Sequence, residues 1–249
     1  MSPAPKPVPA AEFAEARLAR ELERVAKLHQ ERLANQALAA ALERLSSWQA
    51  GRLRATYADL EAQPRYAEAV EFFESDLYGG NDFAQRDADV AKVAPIMTVM
   101  LPERVIGTIA QAMELNVLSQ ELDRALLARL ARPDACRITV AEYCAAYRSL
   151  ANRHERERQI TIIGEIGAAL DRFVRMPFVH AALMMMRQPA RLAGMGVLHE
   201  FLERGFEAFR KMHGADVFLR TIVERETALM DAIFGGAAAP FPEPDLSAA

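Results

Sequence analysis

Cysteine is scarce in this chain, and its two copies, Cys136 and Cys144, are too far apart in sequence for a CxxC metal motif. A single pair also falls short of the disulfide framework that stabilises small secreted proteins. Both thiols are therefore predicted to be ordinary core side chains, and no cysteine-based metal site is expected.

An excess of positive charge is also missing. The formal net charge is −4 and the isoelectric point is near 5.8. A general phosphate-binding surface needs many unopposed Lys and Arg side chains, whereas basic stretches such as Arg153–Arg158 (RHERER) mix both signs. We expect no nucleic-acid partner.

Long hydrophobic runs are absent as well. The charge-free stretch from Met176 to Met186 is much shorter than the ~20 apolar residues that a membrane helix needs. The first residues, MSPAPKPVPAAEF, lack the apolar segment of a secretory signal. These absences predict a cytoplasmic protein with no membrane segment.

What the chain does contain is typical of a globular helical protein. Hydrophobic residues make up 51% of the sequence and charged residues 26%, a balance that favours a packed core over disorder. Apolar residues recur every three or four positions among Glu, Arg and Lys, which is the period of an amphipathic helix. We predict an all-α, single-domain multi-helix bundle over residues 10–236, with about eight to ten helices and disordered tails at 1–9 and 237–249.

Proline and glycine suggest where the helices end. Pro64 is predicted to end the second helical element, because proline disfavours helical geometry in the residue before it. By the same rule Pro95 and Pro102 should cut the run VAPIMTVMLP into short pieces, and Pro189 should lie in the first turn of a new helix. A break near Gly51 is also expected.

Two further patterns concern helix starts and helix packing. Thr139, followed three residues later by Glu142, forms a capping box that predicts a helix start. Gly164 and Gly167 lie inside a helical stretch, where glycine costs about 1 kcal/mol relative to alanine. We expect a neighbouring helix to approach closely there, and room for a ligand is the alternative.

The stretch at residues 72–94, FFESDLYGGNDFAQRDADVAKVA, carries the most local information. Its aromatic and aliphatic anchors have helical spacing, and the two glycines after them favour a helix C-terminus. The four anchors are Phe72, Phe73, Leu77 and Tyr78. Asn81 or Asp82 is then predicted to cap the next helix.

That next helix is crowded with charge. Asp82 with Arg86, and Asp89 with Lys92, have the spacing of opposite-charge pairs along a helix. The simplest interpretation of the run, which includes Asp87, is a solvated face that neutralises itself. The alternative is a polar clamp that fixes the turn against another helix.

The four anchors resemble the signature of the bacterial FFLEELY-motif family, which here reads FFESDLY. The later stretches RDADVAKVAP and PARLAGMGVLHEFLERGFEAFRKM are similar to further blocks of that family. The departures lie at Glu74, Ser75 and Asp76, where the acidic pattern is shifted. The resemblance covers most of the chain and implies an α-helical bacterial protein, and it assigns no catalytic residue.

A few ionisable residues interrupt otherwise apolar helical runs. They are Glu165, His180, His199, Glu203 and Glu114. We predict that these side chains are partly buried. Because a buried carboxylate is costly without a partner, we expect Glu165 to have one, which His180 or His199 could supply.

If these side chains converged, they would offer the oxygen and imidazole ligands of a carboxylate-bridged di-iron bundle. Such bundles present Glu-x-x-His from two helices, and this chain has no such motif. Histidines satisfied within the core are the simpler interpretation, so no metal site and no cofactor is predicted. GxSxG, P-loop and GxGxxG motifs are also missing, and no catalytic residue is assigned.

Two functions stay open at this point. The favoured one is a non-enzymatic protein that acts through contacts with a protein partner or with itself, using the amphipathic segment Glu12–Leu60. The alternative is a bundle that binds a metal or small molecule, such as an oxidase or oxygenase, around Glu165, His180 and His199. Met184–Met186 could line an adaptable pocket in that case, although methionine is more often plain core.

Overall fold

The computed structural model describes residues 10–78, 83–130 and 138–244. Within those ranges the chain forms ten α-helices and one π-helix and no strand, so the predicted all-α class is confirmed. The α-helices are α1 Ala10–Ala34, α2 Gln36–Glu61, α3 Ala67–Phe72, α4 Phe83–Met100, α5 Glu103–Leu127, α6 Val140–Ser149, α7 Arg153–Val174, α8 Pro177–Leu192, α9 Gly196–Lys211 and α10 Asp216–Phe234. The π-helix, Phe73–Tyr78, continues directly from α3.

Helix α2 runs through the two largest hydrophobic clusters of the bundle. Its first half packs Leu45 and Trp48 with α6, the end of α5 and the end of α10. Its second half packs Leu53 and Tyr57 with α3, α9 and the start of α10. Because one amphipathic helix serves both clusters, its apolar face is continuous.

Helix α1 lies against α5 and contributes to a third cluster. Leu18 is buried in that cluster. Val25 is buried in a smaller cluster with Val117, near the middle of α5. The prediction that Glu12–Leu60 supplies a partner surface is therefore wrong for its apolar face, since that face already packs inside the molecule.

The break between the first two helices lies at Asn35, not at Gly51. The Asn35 side chain accepts a hydrogen bond from the backbone N–H of Leu38 at 3.0 Å, which caps α2. Gly51 is buried inside α2. The predicted end before Pro64 agrees with the structure, because α2 stops at Glu61.

Two prolines lie inside helices that they were expected to interrupt. Helix α4 continues through Pro95, and α8 continues through Pro189. Proline removes one backbone hydrogen bond, but α4 is held on both sides of Pro95 by Ala94 and Met97, which pack onto the third cluster. Tertiary packing therefore overrides the local preference.

Helices α7 and α10 approach closely at the two glycines. A Cβ built on Gly164 would lie 3.1 Å from Val223 Cγ2, and one built on Gly167 would overlap the Leu219 side chain. The predicted close helix contact is confirmed. The predicted capping box at Thr139 and Glu142 is also present.

The chain after α10 folds back over the bundle. Phe241 is buried in the first cluster, with its ring centroid 6.3 Å from that of Trp48. Glu243 Oε1 accepts a hydrogen bond from the Val140 backbone N–H at 2.9 Å. The prediction of a disordered tail from residue 237 is therefore wrong up to residue 244, and residues 245–249 lie outside the described part of the chain.

Candidate functional site

Glu165 was expected to be partly buried, but it lies at the surface. Its side chain is 46% exposed on α7. It accepts a hydrogen bond from Gln111 Nε2 at 2.8 Å and lies 3.8 Å from an Arg158 guanidinium nitrogen. Its partners therefore come from α5 and from its own helix, and the predicted pairing with His180 or His199 is wrong.

Glu114 joins three helices. From α5 it accepts hydrogen bonds from Arg17 of α1 and, at 3.0 Å, from Arg158 of α7. Burial alone would raise the pKa of the Glu114 carboxyl, but the hydrogen bonds from the two arginines outweigh that effect and lower the pKa. The residue acts as an ionic clamp between helices.

His199 fastens α9 to α8. The side chain is buried, with only 5% of the residue exposed, and its Nε2 lies 2.8 Å from the Leu183 carbonyl oxygen. Since a carbonyl can only accept, Nε2 carries the proton and donates. Nδ1 faces Glu203 Oε2 at 3.6 Å, and Glu203 in turn binds Arg187 at 2.7 Å.

His180 belongs to a different surface. Its ring stacks on Phe206 with centroids 5.3 Å apart, and Nε2 lies 3.7 Å from Glu207 Oε1. The side chain is 41% exposed, so it is only half-buried.

The five predicted ligand residues thus fall into three separate groups. Glu114 and Glu165 share Arg158, His199 pairs with Glu203, and His180 stands apart. Within the described residues, no group of three or more His, Cys, Asp or Glu side chains is arranged to hold a metal ion. The donor set of the di-iron hypothesis is not assembled.

The aromatic motif forms the junction between α3 and the π-helix. Phe72 is buried against Phe201 of α9 at a centroid distance of 5.3 Å, and Phe73 meets Phe218 of α10 edge-on at 5.7 Å. The side chains of Leu77 and Tyr78, and the turn at residues 79–82 with its predicted cap, lie outside the described parts. π-turns are rare and often occur at functional sites.

The charged helix after the turn is not a solvated face. Asp87 is buried and accepts a hydrogen bond from Asn116 of α5 at 2.7 Å. Burial raises the pKa of the Asp87 carboxyl, although Arg86 and Asn116 oppose the shift. The Arg86 guanidinium lies 4.4 Å above the Phe201 ring.

Asp89 is fully buried on the same helix. It accepts hydrogen bonds from Gln85 at 2.8 Å and from Lys92 at 3.2 Å. The predicted pair of Asp89 and Lys92 is present, but the solvated-face interpretation is wrong for the two aspartates. The polar-clamp alternative describes this helix better.

A small cavity lies where α2, α3, the π-helix, α7 and α10 meet. Its volume is about 30 Å³, which is room for roughly two water molecules. Most of the lining is apolar, and two carboxylates and one phenol interrupt it. The lining residues are Leu53, Tyr57, Val70, Phe73, Glu74, Ile163, Phe218, Ile222 and Glu226.

The two carboxylates of the cavity are held differently. Glu226 Oε1 accepts hydrogen bonds from Arg52 at 2.6 Å and from the Tyr57 hydroxyl at 2.7 Å. Glu74 Oε2 accepts from Arg54 Nε at 2.9 Å, but its Oε1 is buried with no hydrogen-bond partner in the described chain. Burial raises the pKa of the Glu74 carboxyl, and Arg54 only partly opposes that shift.

Helix α8 presents a bare apolar face. Phe178 is 66% exposed, Met185 74% and Leu192 87%. Met184 and Met186 beside them are also exposed. Only Ala190 of this helix is buried, so α8 packs on the bundle with one edge and leaves the rest uncovered.

Sequence reasoning missed the cavity and misjudged α8. A signal for Glu74 was present, because it directly follows the two aromatic anchors Phe72 and Phe73 in the sequence. Tyr57 and Glu226 gave no such signal, since only tertiary packing brings α2 and α10 together. For α8 the signal was the seven-residue spacing of Phe178, Met185 and Leu192.

These observations define a class: an all-α bundle with a small, mostly apolar cavity and an uncovered helix face, and no described helix able to cross a bilayer. The model of a family known as a domain of unknown function, DUF8198, matches residues 14–240, and the chain belongs to that family. No curated protein and no solved structure matches the chain. The function therefore has to be inferred from the geometry.

Proposed function

We propose that this protein is non-enzymatic and works by self-association, with the outer face of α8 as the contact surface and a second copy of the chain as its partner. The observation that carries the proposal is the uncovered apolar stripe of Phe178, Met185 and Leu192. The proposal keeps the function that the sequence favours, contact with a protein partner or with itself. It places the contact surface on α8 instead of α1 and α2.

The spacing of the stripe suits an antiparallel pair of helices. Phe178 and Leu192 lie seven residues before and after Met185, a heptad repeat that keeps all three on one seam. A two-fold axis through Met185 would bring Phe178 of each copy against Leu192 of the other. Such an interface is self-complementary, as a two-fold dimer requires.

The charges on α8 also tolerate a second copy. The helix has no Asp or Glu, and its two arginines are already neutralised by α9. Arg187 binds Glu203 at 2.7 Å, and Arg191 lies 3.4 Å from Glu200. No uncompensated charge of one sign would repel the other copy.

The exposed area is large enough to matter. The five side chains are each between 45% and 87% exposed, and contiguous apolar patches of more than a few hundred Å² usually mark interaction sites. A standard interface buries about 800 Å² per partner, so neighbouring polar residues would supply the remainder. Methionine, three copies of which lie at the centre, adapts readily to such contacts.

The first test is the mass of the native protein by light scattering, with and without Met185→Glu. On the symmetry axis this change would place two carboxylates together, so we expect a dimer to become a monomer. Leu33→Glu is the matched control, because Leu33 is 69% exposed on α1 and undergoes the same change. A concentration of about 100 μM is far above the dissociation constants of standard-size interfaces. A wild-type protein that is still monomeric at that concentration would refute self-association.

A charge exchange tests the antiparallel geometry separately. Phe178→Glu and Leu192→Arg should each weaken the dimer, and the double variant should recover it through opposite-charge pairs at both ends. Recovery supports the two-fold arrangement about Met185. If both single variants lose the dimer and the double variant does not recover it, α8 remains the contact surface but the antiparallel geometry is rejected.

A small-molecule-binding bundle is the second candidate. The small cavity favours it, since it is an enclosed space among α2, α3, the π-helix, α7 and α10, and one oxygen of its lining residue Glu74 is buried without a hydrogen-bond partner in the described chain. Saturation of the cavity by a ligand, with no change in molecular mass, would separate this function from self-association.

A further inference from the structure

The segment at residues 237–244, which we call the strap, is held on the bundle by two side chains. Phe241 is buried in the first cluster, and Glu243 Oε1 accepts a hydrogen bond from the Val140 backbone N–H at 2.9 Å. Within the described chain this is the single hydrogen bond that residues 238–244 form. The strap therefore contacts the bundle as a bound peptide does, through an aromatic ring and a carboxylate.

The surroundings of Phe241 suit an aromatic side chain. Its ring centroid lies 6.3 Å from that of Trp48 and 6.3 Å from that of Tyr143, edge-on to both. Trp48 and Tyr143 also stack on each other at 4.5 Å, and the Arg52 guanidinium lies 5.9 Å from the centre of the Phe241 ring. Ring pairs and guanidinium–ring contacts at such distances stabilise an aromatic group beyond its buried area. This position therefore favours an aromatic residue over an aliphatic one.

The Glu243 carboxylate lies at the start of α6. Within the capping box, Thr139 and Glu142 each accept a hydrogen bond from the backbone N–H of the other. The N–H of Val140, the first residue of the helix, is left for Glu243. A helix N-terminus carries partial positive charge and favours a carboxylate. This end of the strap site therefore selects an acid two residues after the aromatic ring.

Prolines flank both anchors of the strap, at Pro240, Pro242 and Pro244. Proline has no backbone N–H and a fixed φ. A segment of this composition therefore needs few backbone hydrogen bonds and loses little conformational entropy when it docks. Proline-rich segments bind aromatic-lined grooves for this reason. The strap thus has the composition of a peptide ligand.

Small residues connect the strap to α10. The connection runs from Gly235 to Ala239, and Gly236 has a φ of 102°, in the left-handed region that favours glycine. A segment held by so few contacts opens at a lower free energy than the helices around it. Release of the strap would uncover Trp48 and Tyr143 without unwinding α10.

We propose that the surface beneath the strap is a docking groove for a peptide segment of another protein. It consists of Arg52 and Trp48 of α2, Tyr143 of α6 and the N-terminus of α6. The ligand is a proline-flanked segment with an aromatic residue and, two positions later, a carboxylate, because the strap shows that the groove accepts this pattern. The strap occupies the groove in cis and inhibits binding in trans. The groove is separate from the α8 face and does not depend on self-association.

The test uses the full-length protein with the two substitutions Phe241→Ala and Glu243→Gln, which empty the groove. This double variant is titrated with a capped peptide of residues 237–244, AAAPFPEP, and Trp48 fluorescence reports binding, because Trp48 is the only tryptophan and the peptide has none. A short tether gives an effective concentration in the millimolar range, and the strap is docked, so we expect saturation with a dissociation constant below about a millimolar. In the wild type, where the strap competes, the apparent constant should be at least about tenfold weaker.

Two control peptides assign the anchors. Phe241→Ala in the peptide should abolish binding, and Glu243→Gln should weaken it about three- to tenfold, since this carboxylate is exposed to solvent. The proposal is overturned if the double variant shows no saturable change up to about 10 mM peptide, well above the effective concentration of a short tether. Equal binding of the Phe241→Ala peptide would overturn it as well.

The wild type provides the measurement if the double variant does not fold. At about 10 mM peptide, the backbone amide NMR signals of Gly235–Ala239 should move towards random-coil positions as the strap is displaced, and unmoved signals would count against the groove. Light scattering separates a peptide of another protein from exchange between copies. A lower mass for the double variant than for the wild type would assign the groove to the strap of a second copy and reject the proposed ligand.

Discussion

Gly205 of α9 lies directly against the ring of Phe72, the last residue before the π-helix. A Cβ built on Gly205 would stand 2.9 Å from Phe72 Cζ. The glycine thus lets α9 approach the aromatic motif at a distance that no other residue allows. Phe72 in turn packs on Phe201, one helical turn before Gly205 on α9.

We expect Gly205→Ala to lower the free energy of unfolding by about 1–3 kcal/mol, because the added methyl group must displace a buried ring. Gly107→Ala is the control. Nothing lies within 4 Å of a Cβ at Gly107, so that change should stabilise α5 by about 0.5–1 kcal/mol. Urea unfolding of both variants measures the contrast, and equal effects would contradict the close approach.

Glu114 should make stability depend on acid. Its pKa is lowered in the folded protein, so its contribution is present above the unfolded value and is lost as pH falls through the folded pKa. We expect Glu114→Gln to destabilise the protein at pH 7 and to matter much less below about pH 4. Melting temperatures between pH 3 and pH 7 provide the measurement.

The control for this prediction is Glu157→Gln. Glu157 pairs with Arg153 at 2.8 Å, but both side chains are about half exposed. Exposed pairs contribute little, so its melting temperature should stay close to the wild type at every pH. A pH-independent loss in Glu114→Gln would show that packing, not charge, explains the role of that residue.

Trp48 should stabilise the bundle through its indole nitrogen. Nε1 donates to the Ile138 carbonyl at 2.9 Å inside the first cluster. Trp48→Phe leaves that carbonyl without its donor, and we expect a loss of about 1–3 kcal/mol. Urea unfolding followed by circular dichroism measures the loss, since the only tryptophan is then absent. Unchanged stability would mean that the carbonyl finds another donor.

Phe241 tests whether the segment after α10 belongs to the core. Its ring lies near Trp48 and Tyr143, and we expect Phe241→Ala to cost about 3 kcal/mol. Phe178→Ala is the matched control, because Phe178 is 66% exposed and its loss should be nearly neutral in dilute protein. If Phe241→Ala leaves the free energy of unfolding unchanged, the segment after α10 does not contribute to the core.

The helical period and the helix-end signals could be predicted, since they depend on neighbours in sequence. Thr139 caps α6 as its spacing indicates, and Gly164 marks a close helix contact. The helix ends predicted at Pro95 and Pro189 are wrong, because the rule that proline interrupts a helix takes no account of tertiary packing. The helices they interrupt survive the loss of a hydrogen bond.

Burial of single polar residues was the harder problem. Glu165 lies in an apolar stretch of sequence, but such a stretch does not show which side of the helix faces the core. The Glu165 side chain faces the surface. Arg156 lies in a charged run and is nevertheless buried, 4.4 Å above the Tyr147 ring. The burial of Arg156 depends on the packing of α6 against α7, and the sequence of neither helix alone indicates it.

The π-turn also affects how relatives should be aligned. A homologue with one residue fewer between Phe72 and Tyr78 would be expected to form an ordinary α-turn there. A gap placed one position away would match the exposed Ser75 with the position of the buried Glu74. Across the family, the presence or loss of that acid can then be judged only when the gap is set inside the turn itself.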